Sequence, residues 1–231
     1  MNKLLSKYEF QSDYIFKSLS RAENELANAV MENVRFKKGK SLFYEGGIPT
    51  GVFLLSKGKA KIYKTGSDAK EQIFYIYGEG DLIGYHALLC DERYEDSCET
   101  LGDVEASFIS ADNFIELMEK IPTLKKSLLK NMSHEFGVLV NTITILAQKS
   151  LRIRLALYLL LLDGRYRSGS NEKSGIKLSR IDLANLIGTV RESLGKLIKE
   201  FREEGLISVS GRIIYVENPK GLYDIIQSNY C

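Results

Sequence analysis

Two helix-start signals that flank a single glycine constrain this chain more than any other feature of its sequence. The letters run SRIDLANLIGTVRESLGKLIKEFREE from Ser179 onward. Ser179 and Asp182 are spaced as a capping box that begins one helix, and Thr189 and Glu192 are spaced as a second box that begins the next. Gly188 lies between them and takes a left-handed turn without steric strain. Two helices joined this tightly must cross steeply.

The residue types around this turn are typical of a helix-turn-helix. Ala184 is small enough to let the helices approach, and Leu194 and Leu197 would bury the back of the second helix. After Gly205 come two strand-like runs, LISV (206–209) and RIIYV (212–216), with Ser210-Gly211 as a two-residue turn. A plain helical hairpin packed on a core is the alternative. The combination favours a winged helix-turn-helix, whose second helix lies in the DNA major groove.

Charge is unevenly distributed along the 231 residues, whose net charge is only +2. Residues 149–231 carry 14 Lys+Arg against 9 Asp+Glu, whereas residues 1–148 carry 18 against 21. A basic C-terminal third behind a slightly acidic body indicates that this end meets a polyanion such as nucleic acid.

The N-terminal half has the pattern of a β-rich domain. A capping box of Ser20 and Glu23 predicts a short helix over residues 20–33. From Val34 to Ile109, glycine turns separate short strand-like runs. These are 41–44, 52–55, 60–64, 72–77, 82–84 and 105–110. Such spacing predicts a sandwich or rolled barrel, and the lack of βαβ alternation disfavours a dinucleotide-binding sheet.

The period becomes helical after Ala111. Asp112 is predicted to cap a helix over 113–120, and Pro122 ends or restarts it before a long helix to about Gln148. Apolar residues spaced alternately by three and four form a heptad seam: Leu129, Met132, Phe136, Leu139, Ile143 and Leu146. The other face is polar and is expected to face solvent, so the seam favours a parallel helix–helix dimer over a buried core helix of one subunit. The residues of this polar face are Lys125, Lys126, Lys130, Asn131, Ser133, Glu135 and Asn141.

These patterns predict an α+β protein of three parts. They are an effector-sensing β jelly roll over 1–112, a dimerisation helix and hinge over 113–149, and a winged helix-turn-helix over 150–231. The last part begins with a helix over 150–162 and a polar loop over 163–175.

The sequence resembles the cyclic-AMP receptor/fumarate-nitrate regulator (CRP/FNR) family of bacterial transcription factors over essentially its whole length. Residues 179–216 match the DNA-binding segment without a gap. Gly58, Gly80 and Gly84, within VFLLSKGKAKIY and GEGDLIG, match the cyclic-nucleotide-binding-type jelly roll. The resemblance implies a cytoplasmic, homodimeric regulator that binds a palindromic site on double-stranded DNA, has RNA polymerase as a partner, and is not an enzyme.

The resemblance also implies which side chains read bases. The family places an Arg-Glu pair and a second basic residue at the positions of Arg191, Glu192 and Lys196. Arg suits guanine O6/N7, Glu accepts from cytosine N4, and Lys reaches guanine singly. Lys196 replaces the more usual Arg, which is not conservative at a bidentate site. The expected phosphate contacts are Arg180, Thr189, Ser193 and Lys199.

The effector pocket departs from the family pattern. Members that bind cyclic AMP carry Gly-Glu-Leu and, further on, Arg-Ser. The corresponding letters here are GYH (84–86) and YEDS (94–97). The candidate pocket residues are therefore Gly84, Tyr85, His86, Asp96 and Ser97. A carboxylate in place of the phosphate-binding Arg repels a phosphate, so cyclic AMP is not expected.

Two alternatives for the signal stay open, one a haem cofactor and the other a pair of cysteines. An iron–sulfur cluster is not expected, because residues 1–89 contain no cysteine. His86 stands where a carbon-monoxide sensor of the family has a haem ligand, although Gly84 replaces the cysteine of that site. A haem- or gas-sensing regulator with His86 as ligand is thus one alternative, and a Cys90–Cys98 redox pair is another. The effector stays unidentified.

Several other classes are disfavoured. A cupin-type enzyme needs clustered metal ligands, but residues 34–110 hold one histidine. The intact Arg191, Glu192 and Lys196 face argues against an interaction module with a vestigial DNA domain, which stays a further alternative. Three cysteines at no metal-ligand spacing argue against a disulfide framework and a zinc site. The longest apolar run, Leu155 to Leu162, is too short to span a membrane.

Overall fold

The computed structural model describes residues 2–167 and 175–228. The chain divides into two compact units, one of Phe10–Gly137 and the other of Met1–Glu9 with Val138–Cys231. The boundary between the units falls inside a long helix, and the three-part division over 1–112, 113–149 and 150–231 stays a prediction. Cys231 and most of the predicted loop over 163–175 lie outside the described residues.

Eight strands of the Phe10–Gly137 unit form two antiparallel sheets. Their bounds are β1 Glu32–Phe36, β2 Ser41–Phe43, β3 Gly51–Lys57, β4 Ala60–Thr65, β5 Glu71–Tyr77, β6 Leu82–Ile83, β7 Ser97–Thr100 and β8 Val104–Ser110. One sheet has the order β1-β8-β3-β6 and the other β2-β7-β4-β5. The predicted β-rich N-terminal domain, and with it the α+β class, is confirmed.

A close approach of two strands explains the glycine that begins β3. Gly51 pairs with Ser110 of β8. A Cβ atom on Gly51 would lie 2.2 Å from the carbonyl oxygen of Ile109 and 2.6 Å from the ring of Phe108. Only glycine therefore allows β8 and β3 to pair in this register.

Two strands were not predicted, since their sequences lack strand-like alternation. β1 reads ENVRF and β7 reads SCET, and both are held by pairing to neighbours, β8 for the first and β4 for the second. The preceding helix is also shorter than the predicted range of 20–33, because Glu32 already belongs to β1. That helix, α3 Arg21–Asn28, has the predicted capping box: the Glu23 N–H donates to Ser20 Oγ over 3.3 Å, and the Ser20 N–H donates to Glu23 Oε2 over 2.7 Å.

The remaining helices of the N-terminal half are short, apart from α5. They are α1 Asn2–Leu5, a 3-10 helix Ser6–Tyr8, α2 Tyr14–Lys17, α4 Tyr85–Leu89 and α5 Ala111–Lys120. The predicted cap of α5 at Asp112 is wrong. Ser110 caps it, accepting from the Asn113 N–H over 3.4 Å, because the extended backbone of β8 persists up to Ser110.

The long helix α6 Pro122–Gln148 has two different faces. Its buried face carries Leu124, Leu128, Val138 and Ile145. The predicted seam lies on a neighbouring face, roughly a quarter turn around the helix, where Leu129, Met132, Phe136, Leu139 and Ile143 are exposed and Leu146 is half-buried. The prediction that the polar residues all face solvent is wrong for Asn131, which is only 5% exposed.

The C-terminal unit contains a helical hairpin with a wing. Its elements are α7 Leu151–Tyr166, α8 Arg180–Ile187, α9 Arg191–Glu203, β9 Ile207–Ser210, β10 Ile213–Val216 and α10 Pro219–Gln227. α7 begins after Ser150 as expected but runs four residues beyond the predicted end at Leu162. Ile176 forms an antiparallel bridge to Ile214 and so extends the wing sheet. Among the described residues, no helix is long and apolar enough to span a membrane.

A buried carboxyl group in the β-roll should make stability pH-dependent. Asp81 is 3% exposed, and it accepts hydrogen bonds from Ser12 Oγ over 2.7 Å and from the Gly78 N–H over 2.8 Å. Burial nevertheless outweighs these bonds and raises the pKa of Asp81 to about 7.

We expect Asp81→Asn to remove part of this pH dependence. Between pH about 4 and 7, the unfolded carboxyl is ionised while the folded one keeps its proton, so the wild type loses stability as the pH rises. Relative to Asp81→Asn, the wild-type free energy of unfolding should fall by at most ~1.4 kcal/mol per pH unit across that window. Urea unfolding of both proteins at pH 4.5 and pH 8 measures this. The exposed Asp112→Asn variant is the control, and an equal pH profile for Asp81→Asn and wild type would contradict the expectation.

Candidate nucleic-acid interface

A left-handed glycine joins α8 to α9. Gly188 has φ +66° and ψ +53°, and the Thr189 N–H donates to the Ala184 carbonyl over 3.0 Å. Ala184 is buried at the helix crossing, and Leu194 on the back of α9 is fully buried. Leu197 is only half-buried, and Ile198 and Phe201 complete the buried face of α9 instead. The steep helix-turn-helix follows from this one backbone conformation, which favours glycine.

The start of α9 differs from the sequence prediction. The helix begins at Arg191, and Val190 is its N-cap: the Val190 carbonyl accepts the Leu194 N–H over 3.1 Å. No side chain caps this end, so the predicted box of Thr189 and Glu192 is wrong. Glu192 occupies the second helical position instead of the third, which the capping geometry requires. Its carboxylate is therefore not needed for capping.

The first helix, by contrast, has the predicted cap. Ser179 Oγ accepts the Asp182 N–H over 3.0 Å and donates to the Asp182 carboxylate over 2.6 Å. The acidic residue in this first turn is also favoured by the helix dipole.

The exposed face of α9 carries charges that the protein itself does not neutralise. Arg191, Glu192 and Lys196 are exposed, and within residues 2–167 and 175–228 their side chains have no hydrogen bond or ion pair. Gly195 lies between them, and a Cβ there would meet open space. A cation in the first turn of a helix is opposed by the helix dipole, so Arg191 does not serve the stability of α9. Its position suits an external anion or hydrogen-bond acceptor.

The expected phosphate-binding residues lie in different surroundings. Thr189 and Ser193 are half-buried, and Lys199 is exposed with Glu203 Oε1 3.8 Å from its Nζ. Arg180 is half-buried, and its Nη1 donates to the Arg212 carbonyl of the wing over 3.5 Å. Burial lowers the pKa of Arg180, although a guanidinium stays charged in proteins. Arg180 thus has a structural contact that the sequence did not reveal.

The wing turn is shifted by one residue from its predicted place. Ser210 pairs with Ile213, so the two turn residues are Gly211 and Arg212 and not Ser210-Gly211. Gly211 has φ +57°, and glycine at the first turn position is the preference of a type II′ hairpin. The shift places Arg212 at the tip of the wing.

Two arginines of α7 hold the hairpin, and neither was singled out from the sequence. Arg154 Nη1 donates to the carbonyl of Ile187 over 2.8 Å and to that of Gly188 over 3.2 Å. These carbonyls belong to the end of α8 and the turn, where a helix leaves acceptors unsatisfied. Burial lowers the pKa of Arg154. No spacing rule links residue 154 to residue 187, so no sequence signal marked this contact.

Arg152 contacts the far end of α9. It forms an ion pair with Glu204, and its guanidinium lies 3.8 Å from Glu200 and 4.9 Å from the centre of the Phe201 ring. Phe201 is fully buried. α9 is thus held at its C-terminal end by Arg152, while Arg154 holds the turn that precedes it.

The candidate effector-pocket residues of the β-roll contact other protein groups. Gly84, with φ +92°, precedes α4. Tyr85 is 2% exposed, and its hydroxyl donates to Glu135 of α6. Asn131 Nδ2 donates to Tyr85 Oη over 2.8 Å and to Glu135 Oε1 over 3.0 Å. Burial raises the pKa of both Tyr85 and Glu135. Asn131 and Glu135 were assigned to a solvated face from the sequence, so their role here was missed.

The other pocket residues also contact protein groups. His86 Nε2 lies 3.3 Å from Asp96 Oδ1, and Ser97 Oγ accepts the Glu45 N–H over 3.0 Å. The Tyr94 ring is stacked on Phe43 with centroids 3.8 Å apart. Five residues predicted from two separate segments are therefore neighbours in one region, but the space between them is occupied by aromatic rings.

The thiols lack the features of a redox or metal site. Cys90 is exposed and Cys98 is buried, and both are free. Burial raises the pKa of Cys98, and burial together with Glu92 raises that of Cys90, which disfavours the reactive thiolate. Within the described part of the chain, no three His, Cys, Asp or Glu side chains are grouped as metal ligands.

Comparisons with known proteins agree with this architecture. The family model for a cyclic nucleotide-binding domain matches residues 33–121, and that for a Crp-like helix-turn-helix domain matches residues 153–225. The fumarate and nitrate reduction regulatory protein of Yersinia pestis is 27% identical over 203 residues, covering 86% of this chain and 80% of that protein.

Solved structures have the same fold. FixK2 of Bradyrhizobium japonicum has a TM-score of 0.77 at 19% identity, covering 84% of this chain and 96% of its own. A CRP/FNR-family transcriptional regulator of Thermus thermophilus has a TM-score of 0.71 at 25% identity, covering 85% and 98%.

We expect Arg154→Met to destabilise the C-terminal unit. The substitution keeps an apolar stem but leaves the carbonyls of Ile187 and Gly188 without their charged donor, at a cost of about 1.5–3 kcal/mol. Urea unfolding followed by far-UV circular dichroism measures the change. Arg202→Met removes an exposed arginine of α9 and serves as the matched control. Equal stabilities of the two variants would show that the Arg154 contact is energetically neutral.

Proposed function

Because the chain belongs to the CRP/FNR family of bacterial transcription regulators, we propose that it acts as a homodimer on a palindromic DNA operator and answers to a signal other than a cyclic nucleotide. The family consists of regulators and not of enzymes. The helix-turn-helix is the DNA-binding part. The cytoplasm is the compartment in which we expect the protein to act, with RNA polymerase as its partner.

The observation that carries the DNA proposal is the unpaired charged face of α9. Arg191, Glu192 and Lys196 are exposed without a protein partner in the described residues. A recognition helix presents its N-terminal residues to base edges in the major groove. There Arg191 would read guanine O6/N7, Glu192 would accept from cytosine N4, and Lys196 would reach a further guanine. Freed from capping, Glu192 is available for this contact.

Phosphate contacts would set the register of the helix on the duplex without reading sequence. Lys199 is exposed on α9, with Thr189 and Ser193 near the start of that helix. Arg180 keeps its hydrogen bond to the wing, so a phosphate contact by Arg180 would also anchor the wing turn.

The dimer proposal rests on the exposed apolar stripe of α6, which consists of Leu129, Met132, Phe136, Leu139, Ile143 and Leu146. Phe136, which lies at the centre of this stripe, is 70% exposed. Heptad spacing suits knobs-into-holes packing against a second copy of the same helix. A two-fold dimer requires a palindromic operator, with half-site centres ~34 Å apart.

The signal proposal rests on the contacts of the candidate pocket residues. The Tyr85 ring is buried and bonded to Glu135, and the carboxylates of Glu135 and Asp96 beside these residues would repel a phosphate. The effector would thus be chemically different from a cyclic nucleotide. A haem on His86 is the alternative, and an absorption spectrum after reconstitution with haemin tests it.

We expect Phe136→Glu to dissociate the dimer. Two glutamates meeting at the two-fold axis must be desolvated next to each other, which costs several kcal/mol. Sedimentation velocity over a range of concentrations measures the change. Thr144→Glu adds the same charge at an exposed position of α6 outside the stripe and should stay dimeric. A tight dimer of Phe136→Glu would exclude the stripe from the interface.

We expect Arg191→Ala and Lys199→Ala to weaken DNA binding in different ways. Arg191→Ala should lose about 1–3 kcal/mol on the selected site and flatten the preference at one base pair per half-site. Lys199→Ala should weaken all sequences alike and reduce the salt slope by about one per lost phosphate contact, roughly two per dimer.

A binding-site selection with each variant, at two salt concentrations, separates the two effects. If Arg191→Ala kept the wild-type base preference while Lys199→Ala changed it, the helix would be docked with a different face in the groove. If the wild type selected no sequence at all, the proposed function itself would be wrong.

A further inference from the structure

An apolar side chain stands at the position of α9 where a polar one would stabilise the helix. Val190 is the N-cap residue, and its side chain accepts nothing from the helix. Ser, Thr, Asp or Asn at this position satisfies one of the free N–H groups, and valine is among the poorest choices. Val190 is also 50% exposed. It therefore serves neither the helix end nor the core.

The exposure of Val190 is unusual for this part of the molecule. Over the described residues from 150 onward, only two large apolar side chains are exposed, Ile181 at 58% and Val190 at 50%. Both lie near the N-terminal end of a helix of the helix-turn-helix. A single exposed apolar residue needs no explanation by itself, but this one adjoins Arg191 in the charged face described above.

The surroundings of Val190 define what can cover it. Arg191, Glu192 and Lys196 give this surface a net charge of +1, and none of the three has a partner among the described residues. The complementary surface is a polyanion that also offers a small apolar group. In the DNA major groove, the C5-methyl of thymine is the apolar group that a base pair presents.

We propose that Val190 is a specificity-determining residue that reads thymine through its C5-methyl group, at a base pair next to the one that Arg191 reads. The inference rests on the proposed docking of α9 and adds a base to the operator half-site. Arg191 supplies a preference for guanine by hydrogen bonding. Val190 supplies a preference for thymine, because the C5-methyl of the base is buried against the two methyl groups of the valine side chain. The stabilisation that a polar cap would give is forgone for this contact.

The test removes the methyl group from the DNA. A half-site is first obtained by selection with the full-length protein, and each thymine of the synthetic palindrome is then replaced by deoxyuridine, one symmetric pair at a time. The wild type should lose about fourfold in affinity per half-site at one position, as expected for one buried methyl, ~0.8 kcal/mol. Val190→Ala, which lacks both γ-methyl groups, should lose less affinity than the wild type when uracil replaces thymine at that position.

The comparison forms a double-mutant cycle, so effects of uracil on DNA shape cancel. If wild type and Val190→Ala lose the same affinity at every uracil position, Val190 makes no methyl contact and the proposal is overturned. If Arg191→Ala also leaves the base preference unchanged, the proposed docking of α9 is wrong and the Val190 proposal fails with it, whereas a wild type that selects no half-site overturns the proposed function itself. Intact Arg191 specificity without a uracil effect overturns the Val190 proposal alone.

Two further variants separate recognition from folding. Val190→Ser adds a cap, so it should raise the midpoint of thermal unfolding by about 4 °C and still lose the discrimination between thymine and uracil. Ile181→Ser removes an equally exposed apolar side chain from α8 and should keep that discrimination. Loss of discrimination in Ile181→Ser, or its retention in Val190→Ser, would overturn the assignment.

Discussion

The guanidinium of Arg154 and the left-handed backbone of Gly188 together determine where α9 lies. A helix that ends in a tight turn leaves carbonyl oxygens without donors, and Arg154 supplies a donor to two of them, at Ile187 and Gly188. Arg152 then holds the far end of α9 through Glu204 and the Phe201 ring. The charged face of the helix, with Val190 at its tip, depends on these contacts. Residues outside the charged face thus determine where that face lies.

The faces of α6 are used for different purposes. One side is buried in the ordinary way by Leu124 and Leu128, and it also carries the polar pair of Asn131 and Glu135. A neighbouring face exposes Phe136 and its apolar neighbours. The Tyr85 hydroxyl donates to Glu135 and accepts from Asn131 Nδ2, whereas Asn131 Oδ1 is buried without a hydrogen-bond partner among the described residues, so this polar network is only partly satisfied. A shift of Tyr85 would thus be felt on the helix that also carries the stripe.

Local patterns in the sequence predicted the elements whose causes are local. The Ser20–Glu23 box, the Ser179 cap, the turn at Gly188 and the heptad stripe all depend on residues a few positions apart, and all are present as expected. The errors have distant causes. β7 is polar and is held by pairing with its neighbours. The cap of α5 lies at Ser110, the last residue of a strand. Asn131 is buried, and one of its partners is Tyr85, which lies 46 residues away in the sequence. The cap at Thr189 failed because α9 starts one residue later than the box requires.

The bond between Tyr85 and Glu135 also limits the evolutionary routes open to this chain. A single change of Tyr85 to glutamate, the residue that nucleotide-binding relatives carry there, would place two carboxylates together in a buried site, where each disfavours ionisation of the other. It would also leave Asn131 without the hydroxyl that it now contacts. Glutamate at position 85 is therefore unfavourable as long as Glu135 is present, so the residues allowed at these two positions depend on each other.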